Sequence, residues 1–359
     1  ARRPRRVRHL RRPRRRGHRL PHDGWRLPRL LDESLRREQV EVPLSRVFRP
    51  HSVDLRHERI EAVDPLRRVV KSTAGEARYD YLVLAPGSRA IPLAQDSGIF
   101  VTYPKALRHL RQLNADINDT AAERRAHPDG DRHAQRIAVV GGGLTGVEFA
   151  MAIREAADRA SAAAGIARNN FAVSLYEAGE RLNPRGPRHL SRTLEREVAA
   201  HGIQLALARR VQRLSQQGLV TEAGTEPVDT VVCCIGSRPN LGIKLDGLEV
   251  ETAGVPVDHT LRCRGQDAVF MIGDGMLYHE AGVPRLDLRQ AHHAAVQGRY
   301  VAHTIRQLLR GRVPRPYRPR ETPIGVMLQS RRGVFSYRGL CLTGAIAGRA
   351  KRWLELRPT

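Results

Sequence analysis

Arg136-Ile-Ala-Val-Val-Gly-Gly-Gly-Leu-Thr-Gly-Val-Glu-Phe-Ala150 is the stretch that decides the fold of this chain. A short β-branched strand runs into Gly141-x-Gly143-x-x-Gly146, and an Ala-rich helix follows at once. Glycine is needed at each of the three places for its own reason. The first lets the chain turn tightly, the second lets backbone approach a pyrophosphate, and the third lets helix and strand pack closely. The pyrophosphate would rest on the unpaired N–H groups of the helix N-terminus, where the macrodipole favours negative charge. A second strand, Phe171-Ala-Val-Ser-Leu-Tyr176, ends at Glu177, which is placed to accept from both ribose hydroxyls. A carboxylate there repels a 2′-phosphate, so the pattern predicts NAD rather than NADP. The alternative is a glycine-rich turn in an ordinary βαβ unit.

At 359 residues the chain is long enough for two or more domains with sizeable cores. Its net charge of +25 resembles that of a nucleic-acid-binding protein. The composition of that charge argues otherwise. Only four of the 62 basic residues are lysines (Lys71, Lys105, Lys244 and Lys351), the bias a GC-rich genome would produce. Eleven arginines fall within residues 1–20, and the 4% aromatic content leaves no stacking platform for bases. No nucleic-acid partner is expected. The cysteines, Cys233, Cys234, Cys263 and Cys341, form neither CxxC nor zinc spacing, which predicts no metal site and no dithiol centre. No apolar run is long enough to span a membrane, and no secretory signal is apparent.

Residues 1–25 have no periodicity and read as a basic disordered tail or a mistranslated segment. Beyond it the sequence predicts a short helix from Arg26 and β-rich material through residue 78. A buried strand over Tyr79–Ala85 and a helix over 104–115 come next, followed by a polar linker from Asn118 to Gln135. Helices near 187–201 and 286–309, a Pro/Arg linker at 311–323, two short strands near 324–337 and a basic amphipathic helix from about 343 complete the pattern. Four strands end in a glycine turn, at Gly87, Gly141, Gly236 and Gly273, which is how doubly wound sheets offer backbone to a nucleotide. One unit would not use all four. The fold class expected is therefore α/β, with two doubly wound, Rossmann-like nucleotide-binding domains, the second inserted in the first. In the Gly273-Asp274 pair the glycine allows close approach, and the carboxylate can accept from a ribityl or ribose hydroxyl near a flavin pyrophosphate. The alternative is a structural turn with an Asp cap.

These residues resemble the two-dinucleotide-binding FAD/NAD(P) oxidoreductases of the pyridine nucleotide-disulfide reductase type. Tyr79-Asp-Tyr-Leu-Val-Leu-Ala-Pro-Gly-Ser88 is similar to the family strand ending in Ala-Thr-Gly, and Cys234-Ile-Gly-Ser-Arg-Pro-Asn240 to the loop closing its NAD domain. Val269-Phe-Met-Ile-Gly-Asp274 resembles the second FAD motif, and Gln297-Gly298-Arg-Tyr-Val-Ala302 the helix after it. The match runs from about residue 26. It implies an incomplete first part of the FAD domain over 26–117, an NAD domain over 134–240, the FAD domain's second part over 241–310, and a C-terminal segment over 311–359. The missing CxxC points away from dithiol reductases, and sulfide-oxidising relatives need cysteines not found here. What remains is a likeness to type II NADH:quinone dehydrogenases. That likeness implies FAD and NAD as cofactors, with hydride passing from NADH to the flavin and electrons to a quinone. It matches Glu148 to a family acid near the nicotinamide, although an acid that simply complements the helix N-terminus is the alternative.

Two departures stand out. His292 occupies the place of a family Gln beside the flavin ring, with a core or surface histidine as the other reading. The family's N-terminal GxGxxG is not found before Arg26, where arginines up to Arg19 stand instead. A truncated or out-of-frame start is preferred to a divergent basic tail, because a partly deleted sheet would leave an exposed edge. The partners expected are NADH and a quinone or other small electron acceptor, with a homodimer left open. The location expected is cytoplasmic. Peripheral contact with the membrane's inner face is suggested by Ala345, Ile346, Ala350, Trp353 and Leu354 interleaved with Arg349, Lys351 and Arg352. The alternatives are an NADH-dependent reductase of a ferredoxin-like or other soluble carrier, and an inactive NAD-binding protein without FAD.

Overall fold

The computed structural model describes residues 19–21, 24–31, 41–44, 48, 53–96, 98–104, 107–128, 133–329 and 331–356. Its centre is the Gln135–Val140 strand, third in a five-stranded parallel sheet. The sheet order is Gln204–Ala206, Phe171–Tyr176, Gln135–Val140, Thr230–Cys233, Val101–Thr102. A parallel strand covered on both faces must be apolar throughout, and Ile137 to Val140 are all buried. Their side chains alternate between two cores: Ile137 and Val139 enter one, Ala138 and Val140 the other.

Helices cover the first core. Helix α1 (Leu107–Ala126) supplies Leu110, Leu113, Ile117 and Ala121, spaced along one helical face. Helix α2 (Leu144–Ala164) supplies Val147, Phe149, Ala150 and Ile153, and α3 (Arg188–Ala200) supplies Leu190, Leu194 and Val198. Helix α2 stops at Gly165, a left-handed residue (φ 67°) whose N–H returns to the Ala162 carbonyl. The second core is roofed by an antiparallel meander, Val211–Ser215, Gly218–Thr221 and Gly224–Glu226, which buries Leu214 and Leu219. The inserted half is thus a sheet between helices and a β-layer.

The outer half is built around the parallel pair Leu82–Leu84 and Val269–Met271. Leu84, Val269, Phe270 and Met271 share a core with Val301 of α4 (Ala291–Leu308) and with Val63 of an antiparallel group, Ile60–Asp64, Val69–Ser72 and Gly75–Arg78. A two-stranded ribbon, Ser88–Ala90 against Ser237–Pro239, joins the halves. The C-terminal segment is a three-stranded antiparallel sheet, Ile324–Met327, Gly333–Tyr337 and Leu340–Gly344, followed by α5 (Ala345–Leu356). Its Val326, Leu328 and Val334 pack into the first core of the inserted half.

Several boundaries differ from the sequence reading. The helix expected over 104–115 runs on to Ala126 and takes up part of the supposed linker, because Ile117 and Ala121 continue its buried face. The domain limit at 117 therefore falls inside α1. The Val101–Thr102 strand and α1 belong to the inserted sheet and its core. Strand Tyr79–Ala85 shrinks to Leu82–Leu84 with Val83 40% exposed, since the Tyr79 N–H is drawn to the Arg68 carbonyl at 3.1 Å. Residues within the expected tail carry structure as well. Arg19–Pro21 pairs with Glu41–Pro43, and a 3₁₀ helix starts at Gly24 and lodges Leu27 against the inserted half. The remainder of that tail, residues 1–18 and 22–23, lies outside the described residues. The third C-terminal strand, Leu340–Gly344, was not foreseen, and α4 begins at Ala291 rather than near 286, after a separate 3₁₀ turn at Leu286–Leu288.

Helix α2 and its strand touch through glycine. A Cβ on Gly146 would lie 1.8 Å from the Gly141 carbonyl oxygen, whereas one on Gly143 would meet nothing within 4 Å. Gly146→Ala is expected to lose about 3 kcal/mol of stability in urea unfolding, and Gly143→Ala less than about 0.5 kcal/mol. Equal unfolding midpoints for the two variants would refute this account of the packing.

Candidate functional site

The Gln135–Val140 strand delivers Gly141 in a conformation other residues avoid (φ 109°), with its N–H held by the Tyr176 carbonyl at 2.8 Å. A Cβ at Gly141 would stand 2.4 Å from the Cys234 carbonyl oxygen. Gly143 caps α2 in extended geometry (φ −68°, ψ 174°), with no side chain satisfying the helix amides and open space above it. That is the form of an anion site at a helix N-terminus. Glu177 closes the loop from the side. Its Oε2 accepts from the Gly142 N–H and its Oε1 from the Gly179 N–H, both at 2.7 Å. Each carboxylate oxygen keeps lone-pair capacity for a ribose hydroxyl. Gly142, not singled out by the sequence, is required as well, because a Cβ there would meet Glu177 Cβ at 2.8 Å and Leu182 Cδ2 at 2.7 Å.

A second group gathers around Gly273 and Asp274. Gly273 (φ 68°) donates its N–H to Gln297 Oε1 at 2.7 Å, and Gln297 is fully buried in α4. Asp274 accepts a short hydrogen bond from the Ser88 hydroxyl, which ties the ends of the two parallel outer strands together. Gly87 (φ 66°) has open space beside it, and its carbonyl accepts from the Asn240 N–H at 3.0 Å. Gly236 (φ 116°) sits on the neighbouring exit of the inserted sheet with only Ile91 Cδ1 near, at 3.8 Å.

The third group joins the two halves to the C-terminal segment. Glu148, in the first turns of α2, accepts from the Met327 N–H at 2.9 Å and stands 3.9 Å from Lys351 Nζ of α5. Both side chains are nearly closed to solvent, at 9% and 6% exposure. Glu148 thus faces a buried cation, and complementing its own helix is not its main contact. Gly325 makes room for the lysine, since a Cβ there would lie 2.7 Å from Lys351 Cδ. His292, near the start of α4, shares a 2.7 Å hydrogen bond with Thr322, and its ring lies 4.1 Å from that of His293 at a tilt of 40°. Burial, then His293, then the charge of Lys351 push its pKa down to about 4, so it is neutral at pH 7.

The structure therefore brings Gly141, Gly143, Gly146 and Glu177 together, and Gly87, Gly273 and Asp274 together. Glu148 and His292 meet through Lys351. The sequence reading had placed Lys351 on a membrane-facing stripe, yet it points inward beside Ala347, while Ile346 is 70% exposed. One signal was available: a lysine retained in a chain that otherwise uses arginine. The side chains of Trp353 and Leu354 lie outside the described residues. Among the described residues no cluster of His, Cys, Asp and Glu could hold a metal ion. The cysteines are free, and burial raises the thiol pKa of Cys233, Cys234 and Cys263.

Comparison with known proteins agrees with this geometry. The family model for pyridine nucleotide-disulphide oxidoreductases matches residues 16–298, ten residues earlier than the motifs alone suggest. A type II NADH:quinone oxidoreductase of Haemophilus influenzae is 33% identical over 215 residues, 55% of this chain and 48% of that protein. The chain thus spans about half the length of that relative. Another enzyme of that description, from Staphylococcus haemolyticus, is 22% identical over 90% of this chain and 82% of its own length. Among solved structures, NDH2 of Plasmodium falciparum in complex with NADH superposes with a TM-score of 0.77 at 13% identity, covering 93% of this chain and 87% of that one. With the family model spanning well over half its length, this chain belongs to the pyridine nucleotide-disulphide oxidoreductases, a family of FAD- and NADH-dependent enzymes.

Proposed function

We propose that this protein is an FAD-dependent NADH oxidoreductase that delivers electrons to a quinone. The observation that carries the reading is the buried Glu148–Lys351 pair beside neutral His292, at the junction of both dinucleotide-binding halves and the C-terminal segment. The relatives named type II NADH:quinone oxidoreductases support it. A nicotinamide dinucleotide fits the loop described above. The amide of Gly143 and the N-terminus of α2 would bind its diphosphate, Gly141 and Gly146 keep that loop low against the strand, and Glu177, held by the Gly142 N–H, would take the adenosine ribose while repelling a 2′-phosphate.

For FAD, the described residues fit the ribityl-flavin half. Asp274 offers a carboxylate oriented by Ser88, with Gly273 giving close approach and Gln297 holding the turn. When bound, FAD supplies two-electron transfer between NADH and the acceptor. Reduction of a quinone builds negative charge and requires protons. Lys351 places a positive charge where water is excluded, Glu148 fixes its position, and the Met327 N–H satisfies the carboxylate. His292 presents an uncharged imidazole oriented by Thr322.

An absorbance spectrum followed by anaerobic NADH titration tests the reading. Flavin bands that bleach with NADH and recover on adding a soluble quinone are expected. A colourless chain that oxidises no NADH after incubation with FAD would sink it. Lys351→Met should lower the quinone-dependent kcat about tenfold to a hundredfold, with NADH still bleaching the flavin at the parent rate. A slowed bleaching step would instead put Lys351 on the NADH side.

His292 also makes a pH prediction. Held neutral by burial, it contributes stability in full above about pH 6.5, where the unfolded chain is neutral as well. Below that, the unfolded chain takes up the proton first, and this stability is lost as the pH falls towards about 4. His293 acts in the same direction. Thermal midpoints should drop over that window, and His292→Gln should flatten the drop; an identical profile would refute the assignment.

A quinone acceptor implies contact with a bilayer. Among the described residues no helix is long and apolar enough to cross one. Leu340 (74% exposed), Leu342 (57%) and Ile346 form an apolar edge next to exposed Arg349 and Arg338, which suits an anionic lipid surface. The parent should float with phosphatidylglycerol vesicles and the double variant Leu340→Glu, Leu342→Glu should not. Equal flotation of the two would remove this edge as the contact.

A further inference from the structure

The loop that follows Glu177 is neither helix nor strand, yet its backbone is drawn inwards. The carbonyls of Asn183, Pro184 and Gly186 converge on the guanidinium of Arg181. Its Nη1 donates to the Gly186 carbonyl at 2.9 Å and to the Ser191 hydroxyl at 2.7 Å, with the Asn183 carbonyl 3.5 Å away, and its Nη2 donates to the Pro184 carbonyl. Ser191 is a buried residue of α3, so the same side chain fastens the loop to that helix. Asn183 is held left-handed (φ 47°), and the Gly186 N–H returns to its carbonyl at 2.8 Å. Carbonyl dipoles that point at one another repel unless a donor stands between them, and the planar fork of an arginine can serve several at once.

The loop gathered in this way bears on the ribose corner. The Asn183 N–H donates to the Gly142 carbonyl at 2.8 Å, and the fully buried Leu182 packs so closely on Gly142 that a Cβ there would stand 2.7 Å from Leu182 Cδ2. Leu182 is fixed in turn, its N–H donating to Glu195 of α3 at 2.9 Å. A Cβ on Gly179 would meet Pro184 at 3.5 Å. Both amides that hold the Glu177 carboxylate, those of Gly142 and Gly179, thus belong to residues that the loop touches or contains. Arg168 provides a contrast within the inserted half. It binds Asp158 at 2.7 Å and the His201 carbonyl, but it precedes the Phe171–Tyr176 strand instead of following it, so roughly 20 Å of strand separates it from Glu177.

We propose that Arg181 is the positioning residue for the adenosine side of the NADH site: by gathering the Asn183, Pro184 and Gly186 carbonyls it folds the loop against Gly142 and fixes the Glu177 carboxylate for the ribose hydroxyls. This role rests on the reading of the Gly141 loop as an NADH site. A loop ordered before the ligand arrives raises affinity, because less freedom is lost on binding. The effect is confined to the adenosine end, so a nicotinamide mononucleotide, which lacks that end, is indifferent to it.

The parent, Arg181→Met, Ser191→Ala and Arg168→Met are titrated with NADH, ADP-ribose and reduced nicotinamide mononucleotide. Arg181→Met should weaken NADH and ADP-ribose about tenfold, raising KM for NADH while kcat at saturation is kept, with mononucleotide binding unchanged. Ser191→Ala removes one acceptor and keeps the guanidinium, and it should weaken the same two ligands about threefold. That variant decides the matter if Arg181→Met does not fold. Arg168→Met should lower the urea midpoint and leave the ligand affinities alone. Unchanged ADP-ribose affinity in Arg181→Met and Ser191→Ala, an equal loss for the mononucleotide, or the same loss in Arg168→Met would overturn the role and leave the proposed function standing. A parent that binds neither NADH nor ADP-ribose would overturn both.

Discussion

At the crossing of α2 and the central strand, backbone meets backbone with no side chain between. Gly146 sits so close to the Gly141 carbonyl, and Gly141 to the Cys234 carbonyl, that a single methyl group at either place would overlap an oxygen atom. Dispersion falls off steeply with distance, so this contact holds the helix and two strands in one fixed relation. The rest follows from that relation. The open amides of α2 point over the sheet edge, Glu177 reaches Gly142, and Glu148, two residues beyond Gly146, is carried to Met327 and Lys351.

The inserted half was largely legible because its signals are local and redundant. An apolar run, three spaced glycines and an Ala-rich helix all demand one geometry, and the run Val231-Val-Cys-Cys-Ile235 could only be a buried strand. Errors arose where tertiary partners overrode composition. Polar-looking residues after Asn118 stay helical because Ala121 still reaches the core, and Tyr79 is captured by Arg68 before the next strand starts. Strand Val101–Thr102 is only two residues long and gains its place from Val231 and Val232, far away in sequence. Gly142 looked like a spacer because its constraint is imposed by Glu177 and Leu182. Lys351 was misread for a related reason: helical periodicity gives the faces of α5 but not which face meets a carboxylate.

Charge in this protein falls into two kinds. Most of the excess is arginine on the surface, where solvent screens each group. The Glu148–Lys351 pair is different, being almost closed to water, where removal from solvent costs several kcal/mol per ion and the attraction must offset it. The two charged groups stand 3.9 Å apart, and the Met327 N–H also donates to the carboxylate. The pair stands next to an imidazole that burial keeps uncharged at pH 7.

The sheet order also determines when the molecule can be completed on the ribosome. Every strand of the inserted sheet lies at or before Cys233, so that sheet can close once the chain has emerged to this point, with Val326, Leu328 and Val334 joining its first core later. Leu82–Leu84 must wait longer, for Val269–Met271, with the whole inserted half between them. Contacts this distant in sequence carry a large loop-closure entropy and form slowly. Prior folding of the insert brings Val232 beside Thr102 and so shortens the effective loop, acting as an internal scaffold for the outer half. Damage to the insert would then appear first as misassembly of the other half, with its apolar strands exposed to aggregation during synthesis.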